Sequence, residues 1–267
     1  MDAVSISGGD RPIILAQPHS GTFVPDDVFS QLNSLGKKLL DTDWHIPILY
    51  DGLVDDVTIV RANFSRYVID ANRDPQGTNL YPGQNTTDLV PLSTFDGKSI
   101  WLKPPSEQDI ENRLVKYHSE YHRAIEIEIE RLKLKHKNVL LYDCHSIRSE
   151  VSHLFAGVLP HLNIGTNSGE SCAKNMESVV ENVCQRFSTF SHVVNGRFKG
   201  GWTTRHYGRP SEGVHALQME IAQRSYLSTE APPFAYDDEL AGKLRVVLKA
   251  ILSEITMCLT VANPNYE

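Results

Sequence analysis

Two histidines give the first chemical signal in this chain. His19 follows the apolar run Ile13-Ile14-Leu15-Ala16, and His145 closes the run that begins Val139-Leu140-Leu141-Tyr142. Each is followed by a serine, Ser20 and Ser146. In open α/β folds, ligands gather just beyond the carboxyl ends of strands. Two strands that both end in His-Ser therefore predict two imidazoles meeting at one site. Two neutral imidazoles and a carboxylate make a zinc site with one position open for water. Asp41-Thr42-Asp43 offers the carboxylate from either acid, although such a pair on its own also suits a helix cap or a solvated turn. Glu220 lies inside the apolar run Leu217-Gln218-Met219-Glu220-Ile221. Alternation puts it on the face of Gln218, opposite Leu217, Met219 and Ile221. A lone buried carboxylate is costly unless it is paired, near a metal or raised in pKa. Glu220 is thus a candidate general base that takes a proton from activated water; the plainer alternative is that this face meets solvent. Arginines supply the opposite charge: Arg66 and Arg73 with Asn72 between, then Arg205 and Arg209. Guanidinium groups grip carboxylates through paired hydrogen bonds, so these clusters predict an anionic small-molecule substrate. Surface pairing with Asp70 and Asp74 is the alternative. Cys144 points to the opposite face from His145 and reads as structural.

The elements that must hold these groups are legible as alternating strands and helices. Strand-like runs cover residues 13–16, 57–61, 66–70, 139–143, 153–159, 192–198 and 215–221. Helical periodicity covers 106–137, 170–187 and 237–259. The first of these helices has Ser106 as its N-cap, with Asp109 three residues on. Residues 74–103 form a long irregular stretch, the kind of segment that often carries function. The pattern predicts one α/β domain over residues 1–267, with no repeat and no linker.

Composition narrows the function class. The 267 residues carry a formal charge of −7 and 40% hydrophobic residues. An acidic chain without a basic face predicts no nucleic-acid or membrane-surface partner. Four cysteines without CxxC spacing predict reduced thiols and a cytoplasmic location. The first residues lack a signal-peptide pattern. Nothing in the sequence sets an oligomeric state.

Pro18-His19-Ser20-Gly21, Asp41-Thr42-Asp43, Asp70-Ala71-Asn72-Arg73-Asp74-Pro75, Asp143-Cys144-His145-Ser146, Gly200-Gly201 with Thr204-Arg205-His206-Tyr207-Gly208, and His215 to Glu220 stand in order along the chain. Together they resemble the N-formylglutamate amidohydrolase (N-formylglutamate deformylase) family, which is in turn similar to the zinc carboxypeptidases. The resemblance implies a central mixed sheet flanked by helices, carboxypeptidase-like (phosphorylase/hydrolase-like). It implies zinc, or another divalent transition metal, on His19, Asp43 and His145. The carboxypeptidase His-x-x-Glu ligand pair is absent, since Thr22 stands three residues after His19, so the acid comes from the Asp41/Asp43 pair. Glu220 and Arg205 are implied in catalysis, and Arg66, Asn72, Arg73, Arg205 and Tyr207 against the substrate. The implied reaction splits N-formyl-L-glutamate into formate and L-glutamate, late in histidine breakdown. A metallo-carboxypeptidase or another N-acyl amino-acid deacylase is the alternative on the same frame. A non-catalytic anion-binding module with structural histidines is the rival from another class.

Overall fold

A computed structural model of the chain describes residues 1–78 and 85–260. Seven strands form one sheet: β1 (Val4–Ser7), β2 (Ile13–Gln17), β3 (Thr58–Ala62), β4 (Val139–Ile147), β5 (Leu162–Gly165), β6 (His192–Val194) and β7 (Val214–Ala222). Their order is β1-β3-β2-β4-β7-β5-β6. The four central strands run parallel, β1 is antiparallel to β3, and β5 is antiparallel to β7. The helices are α1 (Asp26–Phe29), α2 (Ile46–Tyr50), α3 (Glu107–Arg113), α4 (Ser119–Lys133), α5 (Lys174–Arg186), α6 (Trp202–Tyr207) and α7 (Asp238–Thr260).

Every residue of β2, β4 and β7 is buried, as expected of parallel strands covered on both faces. Alternation divides them between two cores. Ile13, Leu15, Leu140, Tyr142, Cys144, Leu217 and Met219 pack with residues of α2, α5 and α7. Ile14, Ala16, Val60, Leu141 and Ala216 pack with Tyr121, Ile125, Ile129 and Leu132 of α4. Cys144 is therefore core, on the face opposite His145. The four cysteines are free. No described helix is long and apolar enough to cross a membrane.

The expected strands at 13–16, 57–61 and 215–221 are present within a residue or two. β4 runs four residues past its expected end, because β7 pairs with it over all nine positions from Val139 to Ile147. Only 192–194 of the run 192–198 is a strand. Residues 66–70 are a turn instead, closed by the Val68 N–H on the Ser65 carbonyl at 2.9 Å. Tyr67, Val68 and Ile69 are apolar because they sink into the α4-side core, not because they join a sheet. Residues 153–159 are likewise irregular, with Leu154 and Phe155 in a satellite cluster around Phe95 and Phe198. The strand that follows, β5, escaped the sequence reading, as did β1. The helix expected over 106–137 is α3 and α4 joined by a π-turn, Leu114–His118. Ser106 caps α3 in a reciprocal capping box with Asp109. Part of the irregular stretch 74–103, residues 79–84, lies outside the described residues.

Candidate metal centre and active site

The site forms where β4 and β7 outrun β2. Their register sets His145 beside Glu220 and Asp143 beside Gln218, all on the α4 side of the sheet. β2 ends at Gln17, and the chain then turns away to place His19 over the same spot. The Asp43 N–H bonds to the His19 carbonyl at 3.1 Å, which fastens the 41–43 turn alongside.

Three ligand-type atoms converge there. His19 Nδ1 and His145 Nδ1 are 3.2 Å apart, Asp43 Oδ2 is 3.2 Å from His145 Nδ1, and it is 3.8 Å from His19 Nδ1. Ligands spaced about 3.3 Å apart are what a tetrahedral ion with ~2.05 Å bonds requires. The far nitrogens explain the orientation. His19 Nε2 lies 2.7 Å from Asp70 Oδ1, and His145 Nε2 lies 3.0 Å from Asp143 Oδ2. Each carboxylate accepts an Nε2–H, so both Nδ1 lone pairs face the centre together with the Asp43 oxygen. Lone pairs that converge on one point need a proton or a cation between them, and carboxylate-backed histidines are the usual surroundings of a metal ion.

Charge leads to the same fit. Asp43, Asp70, Asp143 and Glu220 are four buried carboxylates against two guanidiniums, Arg66 and Arg73. Burial disfavours charge on Asp43, but Arg66 and the two histidines outweigh it, so its pKa lies below the usual range. Burial likewise opposes charge on Asp70, yet Arg73, His19 and Arg66 hold it well below. Burial, aided by Arg66, lowers His19. His145 is held well above its ordinary value by Asp143, Asp43 and Glu220 against the cost of burial. Glu220 is pushed up to about 8, first by burial, with Asp43 adding to it and His145 opposing. The pocket thus draws protons onto His145 and Glu220 where a divalent cation would supply the same two charges.

His19, Arg66, Asn72, Arg73, His145, Gln218 and Glu220 line one cavity of about 460 Å³. Asp41 stands apart. Its carboxylate accepts from the Tyr67 hydroxyl at 2.6 Å and from the Phe95 N–H at 2.9 Å, and burial raises its pKa. Arg66 sits beside Asp43, 2.7 Å from Oδ1, with its guanidinium over the Phe95 ring. Asn72 accepts from the Thr203 N–H at 2.8 Å, and its Nδ2 lies 3.1 Å from His145 Nε2 and 3.5 Å from Asp143 Oδ2. Arg73 donates to the Thr87 carbonyl, the Thr87 hydroxyl and the Asn72 carbonyl, which spends three of its five N–H groups. Glycine is required beside Asn72: a Cβ on Gly201 would sit 2.4 Å from Asn72 Nδ2.

Two expected substrate residues lie elsewhere. Arg205 and Tyr207 are not in the cavity wall. α6 turns its first residues toward Asn72 and Gln218, while Arg205 Nε reaches back to the Gly200 carbonyl and Tyr207 is buried against His122. Arg197 is in the wall, and the sequence reading missed it. It sits between β6 and α6 with no acidic or histidine neighbour in sequence to draw attention. Leu92, Phe95, Leu154 and Phe198 give the cavity an apolar side.

The model of the N-formylglutamate amidohydrolase family matches residues 11–227. An N-formylglutamate deformylase from Pseudomonas aeruginosa is 42% identical over 95% of this chain and 96% of its own. One from Pseudomonas putida is 41% identical, covering 96% of each. Among solved structures, an N-formylglutamate amidohydrolase from Ralstonia eutropha JMP134 shares the fold, with TM-score 0.80 at 20% identity, over 97% of this chain and 99% of that one. The gene product Atu2144 from Agrobacterium tumefaciens also shares it, with TM-score 0.70 at 17% identity over 96% of each. On the family match and the identity to both deformylases, the chain belongs to the N-formylglutamate amidohydrolase family.

Proposed function

We propose that this chain hydrolyses N-formyl-L-glutamate to formate and L-glutamate, a late step of histidine breakdown, with a divalent cation, zinc for preference, on His19, Asp43 and His145. The observation that carries this is the convergence of three lone pairs beside Glu220 and two arginines in one cavity, in a chain so similar to two deformylases. A cation there supplies a Lewis acid, which polarises the formyl carbonyl and acidifies water. Glu220 takes the proton of the attacking water on its carboxylate. It returns that proton to the amide nitrogen as the C–N bond breaks, so the amine leaves neutral. Gln218 Nε2 donates to Glu220 Oε2 at 3.1 Å and steers the carboxylate. Arg66 faces the same cavity and stabilises negative charge developing on the carbonyl oxygen. Arg73 grips one substrate carboxylate with the two N–H groups it has left. Asn72 holds the Asp143–His145 pair in place next to it.

The apolar side of the cavity favours one second reading, a deacylase for N-acyl amino acids with apolar side chains. Amine release from N-formyl-glutamate, N-formyl-glutamine, N-formyl-leucine and N-acetyl-glutamate separates the two. The highest kcat/KM is expected on N-formyl-glutamate, together with one equivalent of metal per chain. A preference for N-formyl-leucine would put the deacylase reading ahead.

A further inference from the structure

The wall that carries Asn72 and Arg73 is held from behind by two histidines that neither ligate nor line the cavity. His118 ends the π-turn, and His122 follows four residues later in α4. His118 Nε2 lies 3.0 Å from the Arg73 carbonyl oxygen, and His122 Nε2 lies 2.8 Å from that of Ala71. These two carbonyls flank Asn72. A carbonyl only accepts, so both imidazoles must present Nε2–H. On its other side, the buried Tyr207 hydroxyl lies 3.1 Å from His122 Nδ1 and 3.3 Å from the His122 carbonyl oxygen, so it braces the ring and its backbone together. Their ring centroids lie 4.4 Å apart with the planes tilted by 44°, and Trp202 closes on both at 5.6 and 4.6 Å. Burial lowers the pKa of His118 and takes that of His122 well below its ordinary value, so both stay neutral at pH 7. The same loop is tied from the front by the Asn72 N–H on Asp70 Oδ1 at 2.8 Å and by Asn72 Oδ1 on the Thr203 N–H.

We infer that His118 and His122 are positioning residues for substrate recognition: their Nε2–H groups set the backbone on either side of Asn72 and so aim the Arg73 guanidinium at the substrate carboxylate. Tyr207 serves as a brace for His122, not as a substrate contact. The inference rests on the assignment above of Arg73 to a substrate carboxylate. It predicts binding losses that follow the carboxylate and leave the metal centre alone. A positioning error of this kind weakens the ground state and the transition state together, so KM carries the effect.

The test uses metal-loaded wild type, His122→Phe, His122→Gln, His118→Phe, Tyr207→Phe and Arg73→Ala, each checked for folding by circular dichroism and for metal content. KM and kcat are measured on N-formyl-glutamate and on its two mono-amides, the α-amide and N-formyl-glutamine. Arg73→Ala identifies the mono-amide that lacks the gripped carboxylate, because that substrate is indifferent to the substitution. His122→Phe should raise KM about three- to tenfold on the other two substrates, the size of one lost hydrogen bond, with little change in kcat. It should cost nothing on the indifferent one. His122→Gln keeps an amide donor near the Nε2 position and should restore KM. Tyr207→Phe should give a smaller loss of the same pattern. An equal loss on all three substrates, or wild-type KM in folded His122→Phe and His118→Phe, overturns the inference. If His122→Phe does not fold, His118→Phe and Tyr207→Phe decide by the same pattern. Failure of wild type to act on N-formyl-glutamate would instead sink the substrate assignment, and the comparison would move to the N-acyl amino acid it does hydrolyse.

Discussion

Asp70 shows how much one side chain does at the residue scale. It accepts from His19 Nε2 at 2.7 Å, from the Asn72 N–H at 2.8 Å, and lies within ion-pair range of Arg66 and Arg73. It thus fixes which imidazole nitrogen faces the centre. Asp70→Ala should lower metal affinity about 10–100-fold, the usual cost of losing a partner behind a ligand. Competition against a chromophoric chelator measures this, and unchanged affinity would show that His19 needs no such support. Glu220 plays a different part, since it reaches no ligand atom by hydrogen bond. Glu220→Gln should keep its metal and its substrate affinity yet lose at least about a hundredfold in turnover. Near-normal turnover in that variant would leave Glu220 a structural role only.

At the scale of elements, strand length makes the site. β4 and β7 are nine residues each against five in β2, so their last residues have no β2 neighbour and open a shelf for His19 and Asp43. Opposite the shelf, α3 and the π-turn carry α4 to the point where His118 and His122 reach the 71–73 carbonyls. The start of α3 is local chemistry. Ser106 Oγ accepts the Asp109 N–H at 3.2 Å, and Asp109 Oδ2 accepts the Ser106 N–H at 2.9 Å. Ser106→Ala should cost about 1 kcal/mol, read as a lower urea midpoint at unchanged slope. A shift near zero would mean that packing on the α4 side alone holds the helix start.

For the whole molecule, the balance of buried charge sets the response to pH. His215, at the amino end of β7, is 3% exposed. Burial first, then Lys133, pushes its pKa from 6.5 down to about 4. The folded protein therefore keeps this imidazole neutral where the unfolded chain would take up a proton. Its contribution to stability is complete above about pH 6.5 and is lost as pH falls toward 4. The urea midpoint of wild type should drop through that window more steeply than that of His215→Gln, measured with the same metal loading. Parallel curves would show that His215 does not drive the acid sensitivity. The net charge of −7 sets a second condition. An anionic substrate meets a repulsive overall field, so the local arginines must supply the attraction.

What the sequence determined by itself was whatever depends on neighbours along the chain. The α/β alternation, the Ser106 cap, and the opposed faces of Cys144 and His145 follow from periodicity and from capping chemistry, and the structure carries each of them. The two histidines were visible because a polar residue at the end of an apolar run stands out. Choices between residues far apart in sequence were decided only by tertiary structure. Asp41 and Asp43 look alike in the chain, yet the 41–43 turn directs one at Tyr67 and the other at both imidazoles. Arg205 and Tyr207 carry the right chemistry but are not among the residues that line the cavity, while Arg197 reaches it from a loop without any motif. Residues 66–70 carry a strand-like apolar run but pair with no strand, because burial in a core and pairing in a sheet demand the same apolar residues. Which of the two a segment does depends on where the rest of the chain has left room.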